Sequence, residues 1–217
     1  MSVLEKVKTA GVIGAGGAGF PTHVKLNAVA EYVLLNGAEC EPLLRVDQQL
    51  MALYPDEIIA GLAAAGKQVQ AQKMIIGIKG KHKAVINLLE ERIKALHMET
   101  SLEVHILPDV YPAGDEHVLV HELTGRVVPE GGIPLAVECV VINAETALNI
   151  ARAIAGYSVT DTYITLQGDI PHPMTVKAPI GTPIMEVLRQ SGITDFSDYR
   201  VIDGGPMMGS VMEEYGG

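Results

Sequence analysis

The chain has 217 residues and a formal charge of −10, from 16 Lys and Arg against 26 Asp and Glu. Hydrophobic residues make up 48% and charged residues 19%, a globular balance that excludes a disordered or fibrous chain. The acidic surplus argues against a nucleic-acid binder or a polybasic membrane anchor, and no apolar run approaches the roughly 20 residues that span a bilayer.

In chain order, residues 2–9 (SVLEKVKT) carry helical spacing at Val3, Leu4 and Val7. A glycine-rich loop follows, GVIGAGGAGFPTH at 11–23. Tyr32 to Leu35 is a short strand-like run ending at the turn signal Asn36-Gly37. The segment 47–65 predicts two helical pieces broken near Tyr54-Pro55. Met74 to Ile78 reads as a buried strand, His82 to Leu96 as a helix and Val104 to Leu107 as a strand, a strand–helix–strand unit of an α/β domain. After the loop YPAGDE (111–116) a helix is predicted to about Leu123, then a turn-rich stretch over 124–134. Glu138 to Ile142 reads as a buried strand, and Asn143 as the cap of a helix to Ala155 with Glu145 in its first turn. Beyond Gly156 the pattern becomes β-rich. It comprises an alternating run at 160–167, short runs flanking Pro171 and Pro173, and one helix over 183–191. The expected division is an α/β domain at 1–157 and a small β-rich domain at 158–217.

Four segments carry candidate chemistry. In the first, Gly14, Gly16, Gly17 and Gly19 clear side chains from a loop whose backbone N–H groups can cradle phosphate. GAGGAG (14–19) also satisfies G-x-G-x-x-G, with Glu39 twenty residues on, but that fingerprint requires a preceding strand where 2–9 predicts a helix. A lone match of this kind is as often a plain tight turn. The second is NGAECEP (36–42), where Asn36 can offer a donor and an acceptor to a heterocycle edge. Glu39 and Glu41 there would repel a phosphate, so hydroxyl or amide partners are expected; a solvated acidic loop is the competing reading. The third is YPAGDE, with Tyr111 for stacking, Gly114 for close approach, and Asp115 and Glu116. An ordinary turn capping a helix explains it equally well. The fourth is Asn143, at the junction of a strand and a helix, where open α/β sheets place ligand sites; a simple helix cap is the alternative.

Other features are discounted. Cys40 and Cys139 form no disulfide framework and are too few for a four-cysteine zinc or iron–sulfur site. Acids flank Cys40, which blunts a thiolate. His117 and His121 stand four apart in HVLVHE, an exposed helix face rather than a zincin motif. Ser101 and Ser210 lack a nucleophile-elbow context. Met207-Met208 in GGPMMG reads as a packed turn. MSVLEKVKTAG lacks the parts of a secretory signal, so a cytoplasmic location is expected.

Taken in order, IGAGGAGFPTHVKL (13–26), NGAECEPLLRVDQQLM (36–51), YPAGDE (111–116), LTGRVVPEGGIP (123–134) and GGPMMG (204–209) resemble the RnfC-like electron-transfer proteins. The early glycine loop is most similar to the branch holding the cobalamin reductase PduS and the proline-reductase-associated PrdC. These proteins are related to the FMN-binding 51-kDa subunit of respiratory complex I.

The resemblance implies a Rossmann-like α/β domain of the 51-kDa type followed by a small soluble-ligand-binding β-grasp (SLBB) domain, carried by GDIPHPMTVKAPIGTPIMEVL (168–188). It implies an NADH-dependent FMN oxidoreductase in which the flavin, not a catalytic side chain, carries the chemistry. FMN phosphate would meet Gly14, Gly16, Gly17 and Lys25. The ring and ribityl chain would meet Asn36, Ala38, Glu39, Tyr111, Gly114, Glu116, Asn143 and Thr146. Phe20 and Glu41 would meet NADH. Ala15 and Leu26 replace the arginine and aromatic of complex I, which implies weaker NADH binding. The implied partner is a redox protein: a corrinoid enzyme, a reductase or a membrane electron-transport complex. The setting would be the cytoplasm, a microcompartment or the cytoplasmic face of such a complex, with no metal site in this chain. The 4Fe-4S clusters of the family belong to a region after the β-grasp domain, and the chain's end at 214–217 reads as a truncation before it. A non-catalytic nucleotide-binding or assembly scaffold and a Rossmann dehydrogenase are the competing functional readings.

Overall fold

Four apolar runs align as one parallel sheet: β1 (Tyr32–Gly37), β2 (Lys73–Lys79), β3 (Leu102–Leu107) and β4 (Cys139–Asn143), in the order β3-β2-β1-β4. In register, Leu34 of β1 lies opposite Ile75 of β2 and Val141 of β4. The computed structural model describes residues 1–213, so the expectation attached to the chain's end at 214–217 lies outside the described residues.

Helices cover both faces of the sheet, which is why β1, β2 and β4 are nearly continuous in apolar residues, while the edge strand β3 carries Glu103 and His105. On one face, Leu119, Val120 and Leu123 of α6 (Glu116–Thr124) cluster with Leu34, Ile75 and Val141. Gly77 lets that helix settle: a Cβ there would stand 3.0 Å from the Leu119 side chain. Alternation along β1 sends Val33 and Leu35, both fully buried, to the opposite face. There α4 (Pro55–Gln68) and α7 (Ala144–Ile154) pack on the sheet and on each other. Gly61 of α4 makes their close crossing possible, because a Cβ would fall 1.8 Å from the Ala147 carbonyl oxygen.

The remaining helices of this part are α1 (Val3–Thr9), α2 (Thr22–Lys25), α3 (Val46–Leu53) and α5 (Lys83–Ala95). Ser2 and Glu5 close a capping box on α1. Pro55 starts α4, as the predicted break required. No strand precedes the glycine loop. Ile13 makes a single bridge to Pro21, so the Rossmann dinucleotide fingerprint suggested by GAGGAG lacks its structural context.

The chain divides into two units. The first holds Met1–Cys40 and Asp47–Val159; the second holds Glu41–Val46 and the chain from Thr160 on. The second contains an antiparallel pair, β5 (Asp161–Leu166) with β6 (Met174–Pro179), then α8 (Ile184–Arg189) and the two-residue strands β7 (Ile202–Asp203) and β8 (Ser210–Val211). Leu166, Ala178 and Val187 form its small core. Of the two short runs expected around Pro171 and Pro173, only the one after Pro173 is a strand. The chain before Pro171 bends because Gly168 adopts φ +120°, and the Ile170 N–H closes back onto the Gly168 carbonyl.

Candidate functional site

The strand order creates a crevice. From β1 the chain winds outward to β2 and β3, then returns to place β4 on the other side of β1. The carboxyl ends of β1 and β4 thus lie side by side where the strand order reverses, and open α/β sheets bind ligands at such a switch point. A cleft of about 650 Å³, counting its open mouth, lies there. Its lining comes from the glycine loop and α2 (Gly14, Gly16, Ala18, Phe20, Thr22, Lys25) and the end of β1 (Asn36). Gly114 and Glu116, the end of β4 (Val141, Ile142, Asn143) and Thr146 of α7 complete it.

The glycine loop is pinned at its base and open at its tip. The Ile13–Pro21 bridge and the Gly14 N–H to the Phe20 carbonyl (2.9 Å) close the base. The Ala15 N–H donates to Thr146 Oγ1 at 2.9 Å, fastening the loop over the first turn of α7. Gly17 sits at φ +112°, a conformation that side chains disfavour. Among the described residues, the N–H groups of Gly16, Gly17 and Ala18 have no protein acceptor. Lys25 brings a cation to the same cleft. Its Nζ donates to the Val141 carbonyl at 2.9 Å and stands 3.4 Å from Glu116 Oε1. Open amides, an ammonium and the positive end of α7 form an anion-binding donor set.

The opposite wall is internally bonded. Asn36 Nδ2 donates to the Gly114 carbonyl at 2.8 Å, and its Oδ1 accepts the Ala38 N–H at 3.2 Å. The Gly114 N–H donates to Cys40 Sγ at 2.8 Å. A Cβ on Gly114 would lie 3.1 Å from that sulfur and 3.2 Å from Ala38 Cβ. Cys40 therefore fastens a loop. Asp115 caps α6 by accepting the His117 and Val118 N–H groups.

A carboxylate cluster stands behind Asn143. Asn143 caps α7 by accepting the Glu145 N–H (2.8 Å), and its Nδ2 donates to Asp47 Oδ1 (2.8 Å). Glu39 accepts the N–H groups of Asp47 (3.0 Å) and Gln48 (3.4 Å) at the start of α3. The Asp47 carboxyl is pushed up to about 7, first by burial and then by the Glu39 charge. The Asn143 hydrogen bond opposes that shift and Glu145 adds slightly to it.

Gly14, Gly16, Phe20, Lys25, Asn36, Gly114, Glu116, Asn143 and Thr146 thus converge on one cleft. Gly17, Ala38, Glu39 and Tyr111 do not line it. Gly17 shapes the loop, Ala38 lies beneath Gly114, Glu39 meets amides at α3, and Tyr111 is 44% exposed. Glu41 belongs to the second unit, where its carboxylate accepts the Met207 and Met208 N–H groups. That carboxylate holds the GGPMMG turn, whose Met207 and Met208 side chains are 55% and 77% exposed rather than packed. His117 and His121 are exposed, and no metal-binding group exists among the described residues. Sequence reasoning missed Ala18, Thr22, Val141 and Ile142 of the lining. The first two lay within the loop motif and the others at the end of VVIN, the strand preceding Asn143. It also missed Asp47, for which VDQQL offered no local signal.

The fold and cleft define a class: a parallel α/β domain with an anion-binding switch-point crevice. The chain belongs to the family of the Nuo51 FMN-binding domain, whose model matches residues 7–152. It is 45% identical to the cobalamin reductase PduS of Citrobacter freundii, over 97% of this chain and 46% of that relative. It is 40% identical to a component of the Na(+)-translocating ferredoxin:NAD(+) oxidoreductase complex of Acetobacterium woodii, over 96% of this chain and 48% of that one. The chain thus spans about half the length of these curated relatives. Among solved structures, an NAD+-reducing [NiFe]-hydrogenase in the air-oxidized state superposes with a TM-score of 0.77 at 26% identity. That match covers 87% of this chain and 38% of the hydrogenase chain. The cleft suits the family's cofactor: open amides and Lys25 fit a phosphate, and Val141 and Ile142 offer an apolar wall.

Proposed function

We propose that this chain holds FMN in the switch-point cleft and serves as the flavin-binding part of an electron-transfer protein. It would oxidise NADH and pass electrons to a redox partner. The observation that carries this reading is the convergence of two unbonded cleft-lining amides (Gly16, Ala18) and Lys25 at the start of α7, in a member of an FMN-binding family. FMN, when bound, supplies exchange between two-electron and one-electron steps. The chain's own residues bind and orient. The glycine-loop amides and Lys25 take the phosphate, and Thr146 keeps the loop in position through Ala15. Asn36 and Gly114 set the facing wall, where one Asn36 N–H remains for the ring edge. Phe20, 47% exposed, supplies a face for the nicotinamide nucleotide. Glu41, whose oxygens already receive the Met207 and Met208 N–H groups, is left outside this contact set.

The second unit is read as the small β-grasp domain implied by residues 168–188, with a structural or partner-facing role. A corrinoid enzyme, a reductase or a membrane complex fits as acceptor. No helix among the described residues is long and apolar enough to cross a membrane.

The test is an anaerobic titration with FMN and then NADH, followed by flavin absorbance. FMN binding with bleaching by NADH is the expected result. Binding without bleaching would require a different electron donor. A chain that refuses FMN would overturn the reading and favour an assembly scaffold.

A further inference from the structure

Asp47 lies one side chain behind the cleft wall. Asn143 lines the cleft and uses its amide in two directions, accepting the Glu145 N–H that starts α7 and donating to Asp47 at 2.8 Å. The other groups facing Asp47 are acidic. Glu39 accepts Asp47's own N–H and that of Gln48, which holds its carboxylate beside α3. Glu145, 4% exposed, sits in the first turn of α7. The charges acting on Asp47 are therefore both carboxylates, Glu39 and Glu145, and its one favourable side-chain contact is the neutral Asn143 amide.

A carboxyl in that position is sensitive to any further negative charge. A phosphate bound over the α7 N-terminus adds such a charge on the far side of Asn143. In a partly desolvated site it disfavours the ionised form of Asp47. We propose that Asp47 is a proton-exchange site coupled to the cleft, taking up a proton when a phosphate-bearing flavin binds. This rests on the reading of the cleft as an FMN site. The direction follows from linkage: binding that raises proton occupancy is favoured at low pH and weakens as pH rises. Because the Asp47 carboxyl is pushed up to about 7, the uptake is largest near neutrality.

The experiment is calorimetric titration of the chain with FMN at pH 7.0 in PIPES, MOPS and imidazole, whose ionisation enthalpies differ. The slope of observed against ionisation enthalpy is the proton number. The expected result is net uptake of up to roughly half a proton per FMN, falling toward zero in Asp47→Asn. A second measurement needs only the wild-type chain. Its FMN Kd should rise several-fold from pH 6.5 to 8, a range in which a phosphate monoester is already mostly doubly ionised. FMN binding with no uptake, with equal uptake in Asp47→Asn, or with a Kd independent of pH would overturn the inference and leave the cofactor reading standing. Absence of FMN binding would overturn both.

Discussion

The two walls of the cleft are both glycine-bearing loops, yet they are built oppositely. The loop at 14–19 is bonded at its base and through Ala15, and leaves the amides of Gly16, Gly17 and Ala18 open. The loop at 111–116 is bonded through Ala113, Gly114 and Asp115. Its Gly114 carbonyl is taken by Asn36, its Gly114 N–H by Cys40, and its Asp115 carboxylate by the α6 amides. Open donors on a pinned loop mark a wall that meets a ligand, and satisfied donors mark a wall that holds shape. The same residue type, glycine, serves both. In one loop it tolerates φ +112°, and in the other it clears space for a sulfur.

This contrast can be broken by substitution. Lys25→Ala removes the cation on the open side. A hydrogen bond to a charged group contributes roughly 1.5–3 kcal/mol, so FMN affinity should fall about 10- to 100-fold by fluorescence titration. Asn36→Ala removes two bonds from the closed side. Stability should drop by about 1–3 kcal/mol in urea unfolding, with affinity reduced as a consequence. A destabilisation by Lys25→Ala exceeding that of Asn36→Ala would reverse the assignment of the walls.

Thr146→Val removes only the acceptor of the Ala15 N–H. It should weaken FMN binding by roughly 0.5–1.5 kcal/mol and leave the urea midpoint nearly unchanged, while Thr146→Ser restores binding. The smallest effect on binding belongs to Asp115→Ala. Loss of this cap should cost about 1 kcal/mol of stability without altering FMN affinity, because the cap faces α6 and not the cleft. A tenfold loss of affinity in that variant would show that the Asp115 cap is coupled to the ligand site.

Much of the first unit was legible before the structure. The runs at Tyr32, Met74 and Cys139 are apolar over several residues because both faces of the parallel sheet are covered, and that burial is written into composition. The break at Tyr54-Pro55 and the cap at Asn143 are local backbone chemistry, so they too could be read. The second unit was harder. The run before Pro171 has strand-like residues, but Gly168 turns the chain there. The GGPMMG turn is held by Glu41, a carboxylate more than 160 residues away in sequence.

The site divides along the same line. Glycine spacing and Asn143 are properties of short segments and could be named as candidates from the residues alone, while Lys25 entered through the family resemblance. Which of them face one another depends on the strand order β3-β2-β1-β4. Only when β4 lies beside β1 do Asn36 and Asn143, more than 100 residues apart, become partners in register. Asp47 shows the limit most clearly. An aspartate two residues after Arg45 carries no unusual signal in the sequence. Its altered ionisation arises because folding brings Glu39, Asn143 and Glu145 around it, and electrostatic interaction depends on distance in space and solvent exclusion, not on spacing along the chain.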